Sequence, residues 1–114
     1  MSNERAPKAE VLQGTLDLMV LQTLATMGPQ HGYAVAARLE QVSVGSIRLN
    51  MGTLYPSLMR LEQRGLVRGT WGTTENNRRA RYYTLTPAGR KQLEVERTEW
   101  QRFSKALGLI LESE

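Results

Sequence analysis

The sequence predicts a mainly α domain with one small β-hairpin (α+β) and a long closing helix. Three observations carry this. Residues 11–27 are densely apolar, with Leu12, Leu16, Leu18, Val20, Leu21 and Leu24 broken only by Gln13, Asp17, Gln22 and a few threonines. Asn50 to Gly65 reads as a short amphipathic helix with a capping residue before it and a glycine stop after it. Residues 66–71 and 80–85 carry the β-branched and aromatic content of strands and flank a basic, turn-rich connection.

Taken in order, residues 1–10 are polar and proline-bearing and are expected to be a flexible, frayed terminus. The helix from Val11 to Met27 is apolar over most of its circumference, which calls for partners on two sides. One side would be the core and the other a second subunit, with Leu16 and Val20 assigned to that subunit interface; the alternative is a single crowded core. Gly28-Pro29 ends the helix. A second helix follows from His31 to Glu40, with His31 as a capping residue and Tyr33, Ala36 or Ala37, and Leu39 inward. Ile47-Arg-Leu49 alternates as a short strand would.

In the helix 51–64, Leu54, Leu58 and Leu61 share one stripe by the i, i+4, i+7 rule. Thr53, Pro56, Met59, Arg60 and Gln63 fall opposite, with Tyr55 on the flank. That outer face mixes hydroxyl, guanidinium and compact apolar groups, the chemistry a base-reading surface needs. After the strand pair, Thr86-Pro87 supplies a hydroxyl cap and a proline in the first turn. Leu93, Trp100 and Leu107 then recur every seven residues, with Phe103 and Ile110 between, as in a coiled-coil seam. This reads as a dimer-forming helix over 87–114; the alternative is a helix lying back on its own domain. Helix, helix, helix, hairpin is the order of a winged helix-turn-helix domain, here residues 11–86, with 72–81 as the wing.

A chain of 114 residues makes one domain with an extension. It holds no cysteine and a single histidine, which removes disulfides, thiol chemistry and most zinc sites, so no metal or cofactor is expected. No histidine pair, phosphate-cradling glycine loop or paired carboxylates suggest an enzyme. Without a membrane-length apolar run or a signal segment, a cytoplasmic protein is expected. The net charge of +4 is unevenly placed. Residues 1–50 balance, whereas Arg78, Arg79, Arg81, Arg90 and Lys91 fall within 78–91 with no acid among them. A local excess of this kind suggests a docking surface for phosphates.

His31-Gly-Tyr33, Gly52-Thr-Leu-Tyr-Pro56, Leu61-Glu62 with Gly65-Leu66, and Arg81-Tyr-Tyr-Thr-Leu-Thr86 with Gly89 together resemble the PadR family of bacterial transcriptional regulators. The likeness implies a winged-helix domain binding double-stranded DNA, a C-terminal dimerisation helix and a homodimer that represses promoters. The length and single terminal helix are those of the small subgroup. It further implies that the Thr-Leu-Tyr-Pro helix enters the major groove while the wing tracks the backbone. Two departures stand out: Asn76-Asn77 replaces the glycine many members carry at the wing tip, and Ala80 interrupts the basic run. Trp100 lies where drug-responsive relatives line a pore between subunits, implying a small aromatic or drug-like effector; filling the dimer seam is the alternative.

Expected DNA contacts are therefore Asn50, Thr53, Tyr55, Pro56 and Arg60 from the helix, and Arg78, Arg79 and Arg81 from the wing. Expected dimer contacts are Leu16, Val20, Leu93, Trp100, Phe103, Leu107 and Ile110. The competing class is a winged helix serving protein interaction without specific DNA binding. For a DNA-reading dimer, the target would be a near-palindrome with half-sites about one turn apart.

Overall fold

The structure, a computed structural model, describes the backbone of residues 5–114 and the side chains from Gly14 onward. Its elements are α1 (Arg5–Met27), β1 (Gln30–His31), α2 (Gly32–Val42), α3 (Met51–Gln63), β2 (Val67–Thr73), β3 (Arg79–Leu85) and α4 (Pro87–Glu112). Residues 1–4 of the expected frayed terminus lie outside the described residues. α1 starts at Arg5 rather than Val11. Its first turn tolerates Pro7, and Ala6, Lys8, Ala9 and Glu10 are good helix formers, so no apolar residue is needed to extend it.

The helices pack around one core made by Val20, Leu21 and Leu24 of α1, Val35 of α2, Leu54, Leu58 and Leu61 of α3, Val67, Tyr83 and Leu93. The predicted leucine stripe of α3 is thus its buried face. Its end is closed by a Schellman motif: Leu66 N–H donates to the Leu61 carbonyl at 2.9 Å and Gly65 N–H to the Glu62 carbonyl at 2.9 Å. Gly65 has φ +74°, the left-handed region that glycine enters without steric cost.

The start of α4 is tied to this same corner. Thr86 caps α4 by accepting from Gly89 N–H at 3.0 Å and donates its hydroxyl proton to the Gly65 carbonyl at 2.7 Å. Gly89 itself lies against the Leu66 carbonyl, where a Cβ would collide with backbone. The four residues Gly65, Leu66, Thr86 and Gly89 therefore fix where α3 stops, where the hairpin begins and where α4 leaves.

The sheet is antiparallel with strand order β1-β3-β2, pairing Trp71 with Arg81 and Thr73 with Arg79 across the hairpin and His31 with Tyr82 at the other edge. The third strand was not expected. Conversely, Ile47–Leu49 forms no strand: it is part of the irregular connection between α2 and α3, with Ile47 and Leu49 packed on the core, while Gln30–His31 pairs with β3. His31 does cap α2, its Nδ1 accepting from Ala34 N–H at 3.3 Å. Tyr33 points outward, 70% exposed, and Val35 takes the inward position with Leu39. Two helical steps, about 200°, separate the two positions, so with Val35 and Leu39 on the inward i, i+4 stripe Tyr33 falls on the far side of α2.

α4 buries Leu93 and then runs beyond the domain, giving the molecule a long dimension of 57 Å against 33 and 27 Å.

Candidate nucleic-acid interface

α2 and α3 form a helix-turn-helix whose second helix presents an exposed polar face. Asn50 caps α3, its Oδ1 accepting from Thr53 N–H at 2.9 Å, so this side chain holds the first turn in place. Thr53, Tyr55, Pro56 and Met59 are exposed, Tyr55 by 42%. Pro56 sits inside the helix and cannot donate to the Gly52 carbonyl, leaving that acceptor on the exposed side. A tyrosine hydroxyl, a threonine hydroxyl, a rigid proline ring and a backbone acceptor therefore share one surface.

Arg60 departs from its expected outward place. Its Nη2 donates to Asp17 Oδ1 at 2.8 Å and its Nε to Asp17 Oδ2 at 3.3 Å, a fork that pins α3 to α1. Ser57, fully buried, donates to the same Asp17 Oδ1 at 2.6 Å. The Asp17 carboxylate is nearly buried, and the Ser57 hydroxyl and the Arg60 guanidinium together satisfy it. Arg60 is thus part of the scaffold.

The wing is β2, β3 and the turn between them. Thr74 N–H donates to the Arg78 carbonyl at 2.7 Å and Asn77 N–H to the Thr74 carbonyl at 2.9 Å. Asn77 adopts φ +60°, the left-handed region that asparagine tolerates better than other non-glycine residues. This accounts for the missing wing-tip glycine. Arg78 and Arg79 are exposed at the tip and make no ion pair among the described residues. Arg81 differs: its Nη2 donates to Glu62 Oε2 of α3 at 2.5 Å. That hydrogen bond, more than any other contact, raises the Arg81 pKa. Trp71 is stacked by Arg79 at 4.5 Å and approached by Arg81 at 5.7 Å.

The residues assigned to a subunit interface divide in two. Leu16, Val20 and Leu93 are buried within the protomer's own core and have no surface left for a partner. α1 is apolar on so much of its circumference because α2, α3, α4 and β3 all pack on it. Trp100, Phe103, Leu107 and Ile110 remain open to solvent along α4, with Trp100 and Phe103 rings 5.9 Å apart. Beside Trp100 lies a groove of about 440 Å³ between α1, α2 and α4, lined by Leu18, Met19, Leu39, Val42 and Ile47.

Sequence reasoning missed Asp17, Ser57, Glu62 and Trp71. Two signals were available: Asp17 is the lone acid of the apolar run from Val11 to Met27, and Ser57 interrupts the buried leucine stripe.

This arrangement defines a winged-helix domain: a helix-turn-helix with an exposed second helix, a basic hairpin beside it and an apolar helix extending away. Residues 20–95 match the model of the transcriptional regulator PadR-like family, and the chain belongs to that family. It is similar to a transcriptional regulator from Clostridium thermocellum, with a TM-score of 0.80 and 26% identity over 90% of this chain and 96% of that one. It is also similar to a PadR family transcriptional regulator from Eggerthella lenta, with a TM-score of 0.76 and 29% identity over 100% of this chain and 99% of that one. Among curated proteins it is 46% identical over 84% of its length to an uncharacterised 37.1 kDa transposon protein of Streptomyces fradiae, but spans only 25% of that protein. It spans 95% of a Lysinibacillus sphaericus protein at 22% identity. The family is one of transcriptional regulators. Among the described residues no helix is long and apolar enough to cross a membrane.

Proposed function

We propose that the chain is a sequence-specific DNA-binding repressor that acts in the cytoplasm as a homodimer on a near-palindromic operator. α3 enters the major groove. Thr53 and Tyr55 offer hydroxyls to base edges or phosphates, Pro56 meets a thymine methyl, and Asn50 sets the first turn from which they project. Arg78 and Arg79 neutralise backbone phosphates from the wing. The observation that carries this reading is the exposed Thr53-Tyr55-Pro56 face beside a wing tip whose two arginines, Arg78 and Arg79, make no ion pair among the described residues.

The dimer forms through Trp100, Phe103, Leu107 and Ile110 of α4. An exposed aromatic and aliphatic ridge of this extent is unfavourable in water and favours a second copy. The groove beside Trp100 is the place for a small aromatic effector. It is apolar, of ligand size, and bordered by α1 and α4, so an occupant there would alter how the dimer holds its two reading helices.

Selection of bound fragments from the source genome tests the reading. Recovery of fragments sharing an inverted repeat supports it. Recovery of random fragments, with no salt-sensitive binding to any duplex, leaves the protein-interaction reading in its place.

A further inference from the structure

The wing carries three arginines near its tip, and the structure gives them unequal tasks. Arg81 extends across Gly69, where any Cβ would collide with its Nε, and reaches Glu62 on α3. The pair joins the last turn of the reading helix to the middle of the wing. Both side chains are about one third exposed, so the bond sits at the surface but is braced on one side by Trp71. Trp71 is 59% exposed, a large apolar surface for an indole to leave to water. Its ring face is instead covered by the Arg79 guanidinium.

We propose that Glu62, Arg81 and Trp71 form a strut between reading helix and wing, which fixes the wing's angle and presents Arg79 rather than Arg81 to the DNA backbone. The inference rests on the DNA-reading role proposed above. Its logic is one of charge. Glu62 already neutralises Arg81, so Arg81 releases few counterions when DNA arrives. Arg79 has only the indole, which orients a guanidinium without cancelling its charge. Glu62 and Trp71 are thus positioning residues, acting on DNA through the arginines they hold. The strut also predicts an inverted result: removing the acid should free Arg81 and increase non-specific binding while loosening the wing's aim.

The test is the salt dependence of binding of the full-length chain to a random-sequence duplex, with thermal melts to verify folding. Arg79→Ala should lower the slope of log affinity against log salt by about one per protomer, and Arg81→Gln should leave it nearly unchanged. Glu62→Gln should steepen the slope by about one, and the steepening should vanish in the Arg81→Gln background. Trp71→Phe should behave as the parent and Trp71→Ala as Arg79→Ala. If Trp71→Ala does not fold, the Glu62 and Arg81 cycle still decides. Equal loss from Arg81→Gln and Arg79→Ala would overturn the strut while leaving the DNA reading intact. A parent protein with no salt-sensitive binding would overturn both.

Discussion

Arg60→Ala separates a scaffold arginine from a base-reading one. The Arg60 side chain is 29% exposed and that of Asp17 11%, and the substitution leaves Asp17 with only the Ser57 hydroxyl. Removing one partner of a fully buried pair costs about 3–5 kcal/mol. Water reaches the Arg60 side, so screening reduces the cost to roughly 2 kcal/mol. For a domain of this size that is a fall of about 8 °C in Tm. Asp17→Ala should cost a similar amount for a different reason. It orphans the buried Ser57 hydroxyl at about 1–3 kcal/mol, while Arg60 turns to solvent. The double variant should cost much less than the sum, because both singles break one network. The assay is thermal unfolding at fixed protein concentration, since a dimer's Tm depends on it. It is paired with the ratio of operator to non-specific affinity measured well below Tm. Arg60→Ala should leave that ratio within about twofold, which is about 0.4 kcal/mol. A Tm unchanged within 2 °C, together with a tenfold loss in the ratio, would show that Arg60 leaves Asp17 to read a base.

Four further outcomes follow from the packing. Trp100→Asp places a charge on the open ridge of α4 and should yield a monomer by sedimentation, with operator affinity reduced at least tenfold; a retained dimer would refute the ridge as the interface. Gly89→Ala drives a Cβ into the Leu66 carbonyl and should cost more than 2 kcal/mol by urea unfolding. Gly14→Ala, which meets nothing within 4 Å in mid-helix, should stabilise by about 0.5–1 kcal/mol. Tyr83 is buried, and that burial raises its phenol pKa. The folded value lies above the unfolded one, so this stabilisation is complete below about pH 10 and is lost as pH rises through the folded value. Tyr83→Phe should therefore flatten the alkaline fall in stability measured by urea unfolding above pH 10.

What the sequence revealed was local. The Asn50 cap, the Leu54-Leu58-Leu61 stripe and the Gly65 stop each act within a few residues, and they located α3. Thr86-Pro87 located the start of α4 in the same way. What it concealed was long-range. Gln30-His31 has no strand pattern of its own and becomes β1 only because β3 offers it an edge. A helical wheel placed Arg60 outward, yet its long side chain reaches an acid on α1 that no wheel represents. Leu16, Val20 and Leu93 were correctly apolar, but periodicity cannot say whether an apolar stripe meets its own core or a partner. For the wing, charge counting treated three arginines alike, and only the tertiary contacts distinguish the one paired with Glu62.

Hydroxyl-radical footprinting of a genome-selected fragment, by the parent protein and by Tyr55→Ala, tests the reading helix most directly. The parent should protect two half-sites about one helical turn, or 34 Å, apart, and Tyr55→Ala should lose that pattern while retaining weak, salt-sensitive binding. Unchanged protection by Tyr55→Ala, or a footprint with no paired half-sites, would contradict the assignment of α3 as the surface that reads DNA.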